Sequence, residues 1–400
     1  MNKGVYHNPY RPGAGHFPPY LAGRENEINE LSRLLGQDVI LKNAIITGLR
    51  GVGKTVLLDA VKPVAMKYGW LWVGADLTES ASLSEDNFAT RLIADLSSVT
   101  SSVSVSQKTI KSIGFNAPRS VVSQHLDYQT LVSFYNGTPG LSVDKLKAVL
   151  QLAWATLRPY GVRGIVFAYD EAQNMSDQAK AGEYPLSALL DSFQSIQKMS
   201  IPFMLVLTGL PTLFPKLVEA RTYAERMFRI VQLARLEDEA AAMAVKKPLD
   251  AGKSAIKFPK DVIERIVHAS GGYPYFVQFL SREVFDSLYQ SKLIGNEFEF
   301  PETEIVRKLD VDFYWGRYNR MTDRQRELVH AVAQIELAGD EFSFQDVVDA
   351  ATSHMKKVPS PSQLTAMLNA LIESGLLFKQ ARGKYSFAIP MMRQFLLRQI

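Results

Sequence analysis

Ala44-Ile45-Ile46-Thr47-Gly48-Leu49-Arg50-Gly51-Val52-Gly53-Lys54-Thr55 runs from a short apolar strand through a glycine loop into a helix that continues from Val56. The spacing G-x-x-x-x-G-K-T in that strand–loop–helix context is specific for a loop that cradles phosphates. Gly48 opens it. Gly51 and Gly53 let the amides of the intervening residues, Arg50 and Val52 among them, turn inward around phosphate oxygens. Those amides and the helix N-terminus at Lys54-Thr55-Val56 supply positive potential without a side chain. Lys54 reaches the β- and γ-phosphates and the Thr55 hydroxyl suits Mg²⁺, so ATP and Mg²⁺ are the expected cofactors.

A second stretch completes the chemistry. Gly164-Ile165-Val166-Phe167-Ala168-Tyr169-Asp170-Glu171 is an apolar strand ending in two carboxylates. Asp170 is expected to hold the Mg²⁺ water shell and Glu171 to polarise the attacking water. Thr208 ends the next apolar strand. It reads either as a residue beside the γ-phosphate that orients water or as a plain strand-end threonine.

Working outward, strands alternate with helices through residues 40–233, which predicts a parallel sheet with helices on both faces. A helix is expected over 24–35. Strands are expected over 70–77, 165–169, 203–208 and 228–233. Pro63 is expected to kink or end the helix after the loop. Ser82 and Glu85 have capping-box spacing before Phe88, Leu92, Ile93 and Leu96. Residues 97–140, opening on a serine-rich run, read as an irregular insertion. From 237 to 318 the pattern is helical, and Phe313, Tyr314, Trp315 and Tyr318 read as a packed joint to the C-terminal region. There, helices near 322–335, 344–351 and 361–374 precede strands at 376–380 and 384–388, which is the order of a winged helix.

On these residues the chain resembles AAA+ ATPases of the STAND and archaeal origin-recognition type, over nearly its whole length. Pro18-Pro19-Tyr20-Leu21-Ala22-Gly23-Arg24-Glu25 is similar to the family's hydrophobic-GRE motif. The resemblance therefore implies nucleotide contact at Gly23 and Arg24. The Asp170-Glu171-Ala172-Gln173 form is also typical of that group. Gly271-Gly272-Tyr273-Pro274-Tyr275 resembles the lid motif in which the proline, here Pro274, packs on the base. Near Gly272 there is no arginine of the kind that senses the γ-phosphate in origin-recognition initiators. Tyr223-Ala224-Glu225-Arg226-Met227-Phe228 resembles the segment whose arginine reaches into the next subunit's nucleotide. Arg226 is the candidate and Arg221 the alternative, and a surface arginine pairing with Glu225 or Glu219 is the competing reading.

The implied fold is α/β. It comprises an extended arm (1–20), a P-loop core of AAA+ type (21–235), a helical lid (236–320) and a winged helix (321–400). In the winged helix, Gln363, Lys379, Arg382 and Lys384 are the candidate DNA contacts. The charge there is modest: nine cations face eight anions from Met321 onward, a net of +1. Two functions stay open. One is an ATPase that couples nucleotide to self-association and DNA binding. The other is a STAND-like switch whose winged helix packs internally or meets a protein partner.

The whole 400-residue chain carries a net charge of +4, which permits nucleic-acid contact without arguing for it. No cysteine is present, which removes disulfides, thiolate metal sites and cysteine nucleophiles and suits a cytoplasmic location. The six histidines are dispersed without metal-ligand spacing. The N-terminus lacks the apolar stretch of a signal peptide, and no apolar run nears the roughly 20 residues that cross a membrane.

Overall fold

The computed structural model describes residues 7–13, 15–101, 104–110, 120–251, 256–335, 341–379 and 383–400. They form two compact units: Asn26–Thr47 with Leu57–Gln232, and Met1–Glu25 with Gly48–Val56 and Leu233–Ile400.

The first of these is built on a parallel sheet. Its strands are β1 (Asn43–Thr47), β2 (Trp70–Val73), β5 (Gly164–Tyr169), β6 (Phe203–Gly209) and β7 (Phe228–Gln232), in the order β2-β5-β6-β1-β7. Every pairing is parallel, so all five C-terminal ends share one edge. The three central strands β1, β5 and β6 are buried at every residue, as helices on both faces require. Edge strand β7 instead exposes Arg229 and Ile230. Packing is carried by contacts such as Phe167 on Phe193, ring centres 5.0 Å apart and edge to face. Buried Asn43 fixes the start of β1: its Oδ1 accepts from the Leu205 amide at 2.8 Å and from Gln197 Nε2 at 2.9 Å.

Several local expectations are corrected. Helix Lys54–Lys67 continues through Pro63, which sits on its exposed side, where water can satisfy the carbonyl that proline leaves unpaired. β2 ends at Val73, and the chain rejoins the sheet only as the bridge of Asp76 to Asp170. The cap of helix Glu85–Thr100 is Ser84, whose side chain accepts from the Asn87 amide. Ser82 is buried, and its Oγ accepts from the Ser176 amide at 2.8 Å. Residues 97–140 are not irregular where described. They finish that helix, pair β3 (Ser104–Ile110) with β4 (Ser120–His125) antiparallel, and add helix Tyr128–Gly137.

The other unit is mostly helical. Helices Asp238–Ala251, Lys260–Ser270, Pro274–Ile294 and Glu302–Leu309 lead through a π-turn at Asp310–Trp315. Helices Asp323–Ala333, Phe344–His354 and Pro361–Glu373 come next, then a last one at Met392–Leu397. Each of the first three in this set opens on a capping box, with Thr322, Ser343 and Ser360 as the capping residues. Three short strands complete this region: β8 (Glu341–Ser343), β9 (Leu377–Lys379) and β10 (Lys384–Phe387), antiparallel in the order β8-β10-β9. β8 and the last helix go beyond what the sequence predicts. Ala381 and Arg382, between β9 and β10 in sequence, lie outside the described residues.

The aromatic joint is real. Tyr314 stacks on Phe395 at 5.0 Å, and Trp315 and Tyr318 meet the same ring edge-on at 5.5 and 5.6 Å. Where described, the N-terminal arm is fastened to the helices of its unit. Tyr10 is fully buried, its hydroxyl donates to Val245 O at 2.6 Å, and Asn8 Nδ2 donates to Asp286 Oδ1 at 2.6 Å.

Candidate functional site: a phosphate loop and an acidic strand end

The phosphate loop belongs to the helical unit. Gly51 and Gly53 hold φ of 79° and 94°, a left-handed conformation that favours glycine and turns the intervening amides. Lys54 is buried, and its ammonium donates to Gly48 O at 3.1 Å and Leu49 O at 3.0 Å, arching back over the loop. Arg24 is only 5% exposed, and its Nη2 donates to Val52 O at 3.0 Å and Ala234 O at 2.7 Å. The arginine of the GRE motif thus clamps the loop backbone from behind. That structural role is one no spacing rule reveals.

The lid turn sits on the same loop. Pro274 is the first residue of its helix, and the next amide, Tyr275 N–H, donates to Gly51 O at 3.3 Å. Leu236 N–H donates to Gly272 O at 2.8 Å, closing the turn against the segment that follows Ala234. Arg50 is turned toward the C-terminal helices: a Cβ at Gly375 would lie 3.5 Å from its Nη2. The neighbouring Arg317 guanidinium is pushed below its usual range by burial first, then by the charges of Arg50 and Arg320.

The acidic strand end belongs to the sheet unit. Asp170 is 4% exposed. Its Oδ1 accepts from the Thr208 hydroxyl and from the Glu171 amide, the latter at 2.8 Å. Thr208 is therefore more than a plain strand-end residue: it fixes the carboxylate at the end of the neighbouring strand. Glu171 is exposed and takes a left-handed backbone, φ 52°, which costs a non-glycine residue about 1 kcal/mol or more and concentrates at functional sites. Its carboxylate accepts from Gln173 Nε2. Nearby, burial raises the Asp59 carboxyl above the ordinary range; Lys62 opposes this, and Asp170 and Asp76 add to it.

The two candidate arginines differ. Arg221 is held by Asp191 in a two-point ion pair at 2.9 and 2.7 Å, and Tyr223 donates to the same carboxylate at 2.7 Å. Arg226 is exposed, and neither Glu219 nor Glu225 pairs with it among the described residues. In the C-terminal region, the Gln363 side chain accepts from the Ser360 amide at 3.0 Å as part of a cap. Lys384 pairs with Glu341 at 3.3 Å, and Lys379 lies 5.9 Å from the centre of the Tyr385 ring. Arg382 lies outside the described residues.

Solved structures share this architecture end to end. The Walker-type ATPase of Pyrococcus abyssi superposes with a TM-score of 0.59 at 16% identity, covering 94% of this chain and 96% of that one. The ORC2 protein of Aeropyrum pernix, in its ADPNP–ADP complexes, gives 0.53 at 13% identity, with 96% and 95% covered. The chain shares the fold of these two proteins. Residues 311–396 also match the model of a domain of unknown function, DUF8462. No curated protein sequence matches the chain. Among the described residues, no helix is long and apolar enough to cross a membrane.

Proposed function

We propose that the chain binds ATP with Mg²⁺ and hydrolyses it slowly, using nucleotide state to control its own association and the exposure of its C-terminal winged helix. The observation that carries this is the preformed phosphate loop, turned at Gly51 and Gly53 with the Lys54 ammonium arched back over it. Lys54 faces the β- and γ-phosphates in this reading, exchanging the loop carbonyls it now satisfies for phosphate oxygens. Mg²⁺ would be held through the Thr55 hydroxyl and Asp170, oxygen donors of the kind that metal takes, with phosphates and water completing its shell. Bound there, it neutralises charge on the phosphates.

Glu171 takes a proton from water as the water oxygen bonds to the γ-phosphorus, and the bond to the β–γ bridging oxygen breaks. Thr208 keeps Asp170 oriented. Pro274 and Tyr275 place the lid turn over the loop, so nucleotide occupancy and lid position affect each other. Arg226 supplies the outward-facing cation that a neighbouring copy's γ-phosphate needs.

Two outputs remain. DNA binding would use the face of helix Pro361–Glu373 and the β9–β10 wing. A nucleotide-held switch of STAND type, with the winged helix packed internally or on a protein, is favoured by Gln363 serving as a cap and Lys384 being neutralised by Glu341. Glu171→Gln tests the chemistry. It should retain ATP in calorimetry and lose at least tenfold in turnover, whereas a wild-type rate would remove Glu171 from the mechanism. A salt titration of duplex DNA binding separates the outputs. A steep loss of affinity between about 50 and 200 mM salt means phosphate neutralisation, and no measurable binding at low salt leaves the switch.

A further inference from the structure

All five strands of the sheet are parallel, so the connections that enter them share the edge opposite Asp170 and Thr208. Four of these connections, residues 36–42, 66–69, 158–163 and 198–202, lead into β1, β2, β5 and β6. They leave Val39, Leu41, Met66, Tyr68, Tyr160 and Met199 exposed, Leu41 by 75%. The surface is ordered. Arg163 Nη2 donates to Gly36 O at 2.7 Å and Asp38 Oδ1 at 3.0 Å, and its amide donates to Gly69 O at 2.9 Å. Gln37 Oε1 accepts from the Leu41 and Lys42 amides at 2.9 and 3.0 Å. With Asp38 matched to Arg163, four cations remain on these connections, Lys42, Lys67, Arg158 and Lys198, and no other acid. Cations suit the ends of the preceding helices, where carbonyls point outward. The helix dipole gives no reason for six apolar side chains among them, whereas a preordered apolar surface ringed by charge suits a partner.

Two such edges repel each other, so the partner must bring the opposite charge. The chain carries a surface of that kind at the end of helix Pro274–Ile294. Leu293 and Ile294 are exposed, Ile294 by 70%, and from Leu293 to Glu304 there are four glutamates and no cation. Gly295, at φ 80°, ends the helix. Phe298 and Phe300 then pack inward, with the Arg265 guanidinium 4.1 Å from the centre of the Phe300 ring. Glu297 and Glu299, which alternate with them, are exposed and make no ion pair among the described residues. We propose that this acidic turn of one copy docks on the basic, apolar entrance edge of the sheet in a second copy. The two surfaces differ, so the contact is heterologous and propagates as a ring or an open chain. It uses neither the phosphate loop nor Arg226, and it needs no nucleotide.

Sedimentation velocity of the full chain without nucleotide tests this. Wild type should self-associate at low salt, and association should weaken between about 50 and 300 mM salt as exposed charges are screened. Lys67→Glu with Lys198→Glu, and separately Glu297→Lys with Glu299→Lys, should each weaken association at least about tenfold. An equal mixture of the two double variants should regain it, because each then meets the opposite charge on the other. That recovery also excludes misfolding as the cause of the loss. Arg226→Ala should associate like wild type here; a loss in that variant assigns self-association to the arginine contact and overturns the proposal. A monomeric wild type, reversed variants that associate like wild type, or a mixture that stays apart overturns it too. If a monomeric wild type instead floats with vesicles of equal phosphatidylcholine and phosphatidylglycerol, the edge is a membrane surface and not a contact between copies.

Discussion

Arg24→Ala distinguishes a loop clamp from a nucleotide contact. Each hydrogen bond from a charged donor is worth about 1.5–3 kcal/mol, and Arg24 makes two to buried backbone, at 3.0 and 2.7 Å. Removing it recovers the cost of burying a guanidinium, a few kcal/mol, but leaves the Val52 and Ala234 carbonyls short of a partner. The net loss is about 2–4 kcal/mol. The unit that contains these three residues has about two hundred residues, for which 1 kcal/mol moves the midpoint by about 2–4 °C. Calorimetric unfolding without nucleotide should therefore fall by about 5–15 °C for Arg24→Ala. Arg24→Lys should fall nearly as far, since a single ammonium lacks the guanidinium's forked reach to two carbonyls. ATP affinity should drop in parallel, because a loosened loop must be ordered before it binds. If both variants unfold within about 2 °C of wild type without nucleotide yet lose ATP affinity, the clamp is wrong and Arg24 acts on nucleotide alone.

The same geometry sets further outcomes. Lys54→Ala should weaken ATP binding in calorimetry by at least about tenfold, roughly 1.4 kcal/mol, because its ammonium is the cation that lies across the loop at Gly48 and Leu49; unchanged affinity would move the phosphates elsewhere. Mixing Lys54→Ala with Arg226→Ala, each inactive alone, should partly restore ATPase activity by pairing an intact loop with an intact arginine; no recovery, with a monomer in ATP by light scattering, removes the trans role. His330 is pushed below the ordinary imidazole range by burial, a hydrogen bond at the Leu396 backbone opposing it, and its Nε2 lies 2.8 Å from the Tyr318 hydroxyl. The folded state therefore binds the proton less readily than the unfolded one. Stability is full above about pH 6.5 and is lost as pH falls below it through the lowered folded value. The melting midpoint of wild type should drop between about pH 6.5 and 5 more than that of His330→Gln, and parallel curves would exclude this histidine.

The sheet was legible because its central strands are buried on both faces. Apolar runs such as 165–169 and 203–208 admit little other reading, and the loop between β1 and its helix has a spacing tied to one chemistry. What escaped detection lies in side-chain geometry and in elements too short to show a period. β8 is three residues long, β3 and β4 lack a sustained apolar alternation, and a proline within a helical run, such as Pro63, does not by itself show whether the helix continues past it. Arg24 matched a motif, but only coordinates show that its guanidinium faces backbone carbonyls. Gln173 stands in a polar run whose partner no spacing names, because its side-chain oxygen accepts from the Leu210 amide, 37 residues away in sequence.

The choice between Arg221 and Arg226 turns on which guanidinium is already engaged. Arg221 lies nearer the β6 end in sequence, yet its guanidinium is spent. Burial raises the Asp191 carboxyl, but hydrogen bonds from Arg221 and Tyr223 and the charge of Arg221 outweigh it and hold that carboxyl below its usual range. The same pair raises the Arg221 guanidinium above its own, so both partners favour the charged, bound state. To reach another subunit's phosphate, Arg221 would have to abandon two hydrogen bonds and leave a half-buried carboxylate with only a phenol for company. Arg226 sits on the four-residue turn Ala224–Met227, one helical turn further on. Its main-chain carbonyl accepts from Lys42 Nζ at 2.6 Å while its side chain stays exposed. A residue anchored by its backbone and unspent in its side chain can offer a cation to a partner without first dismantling its own unit.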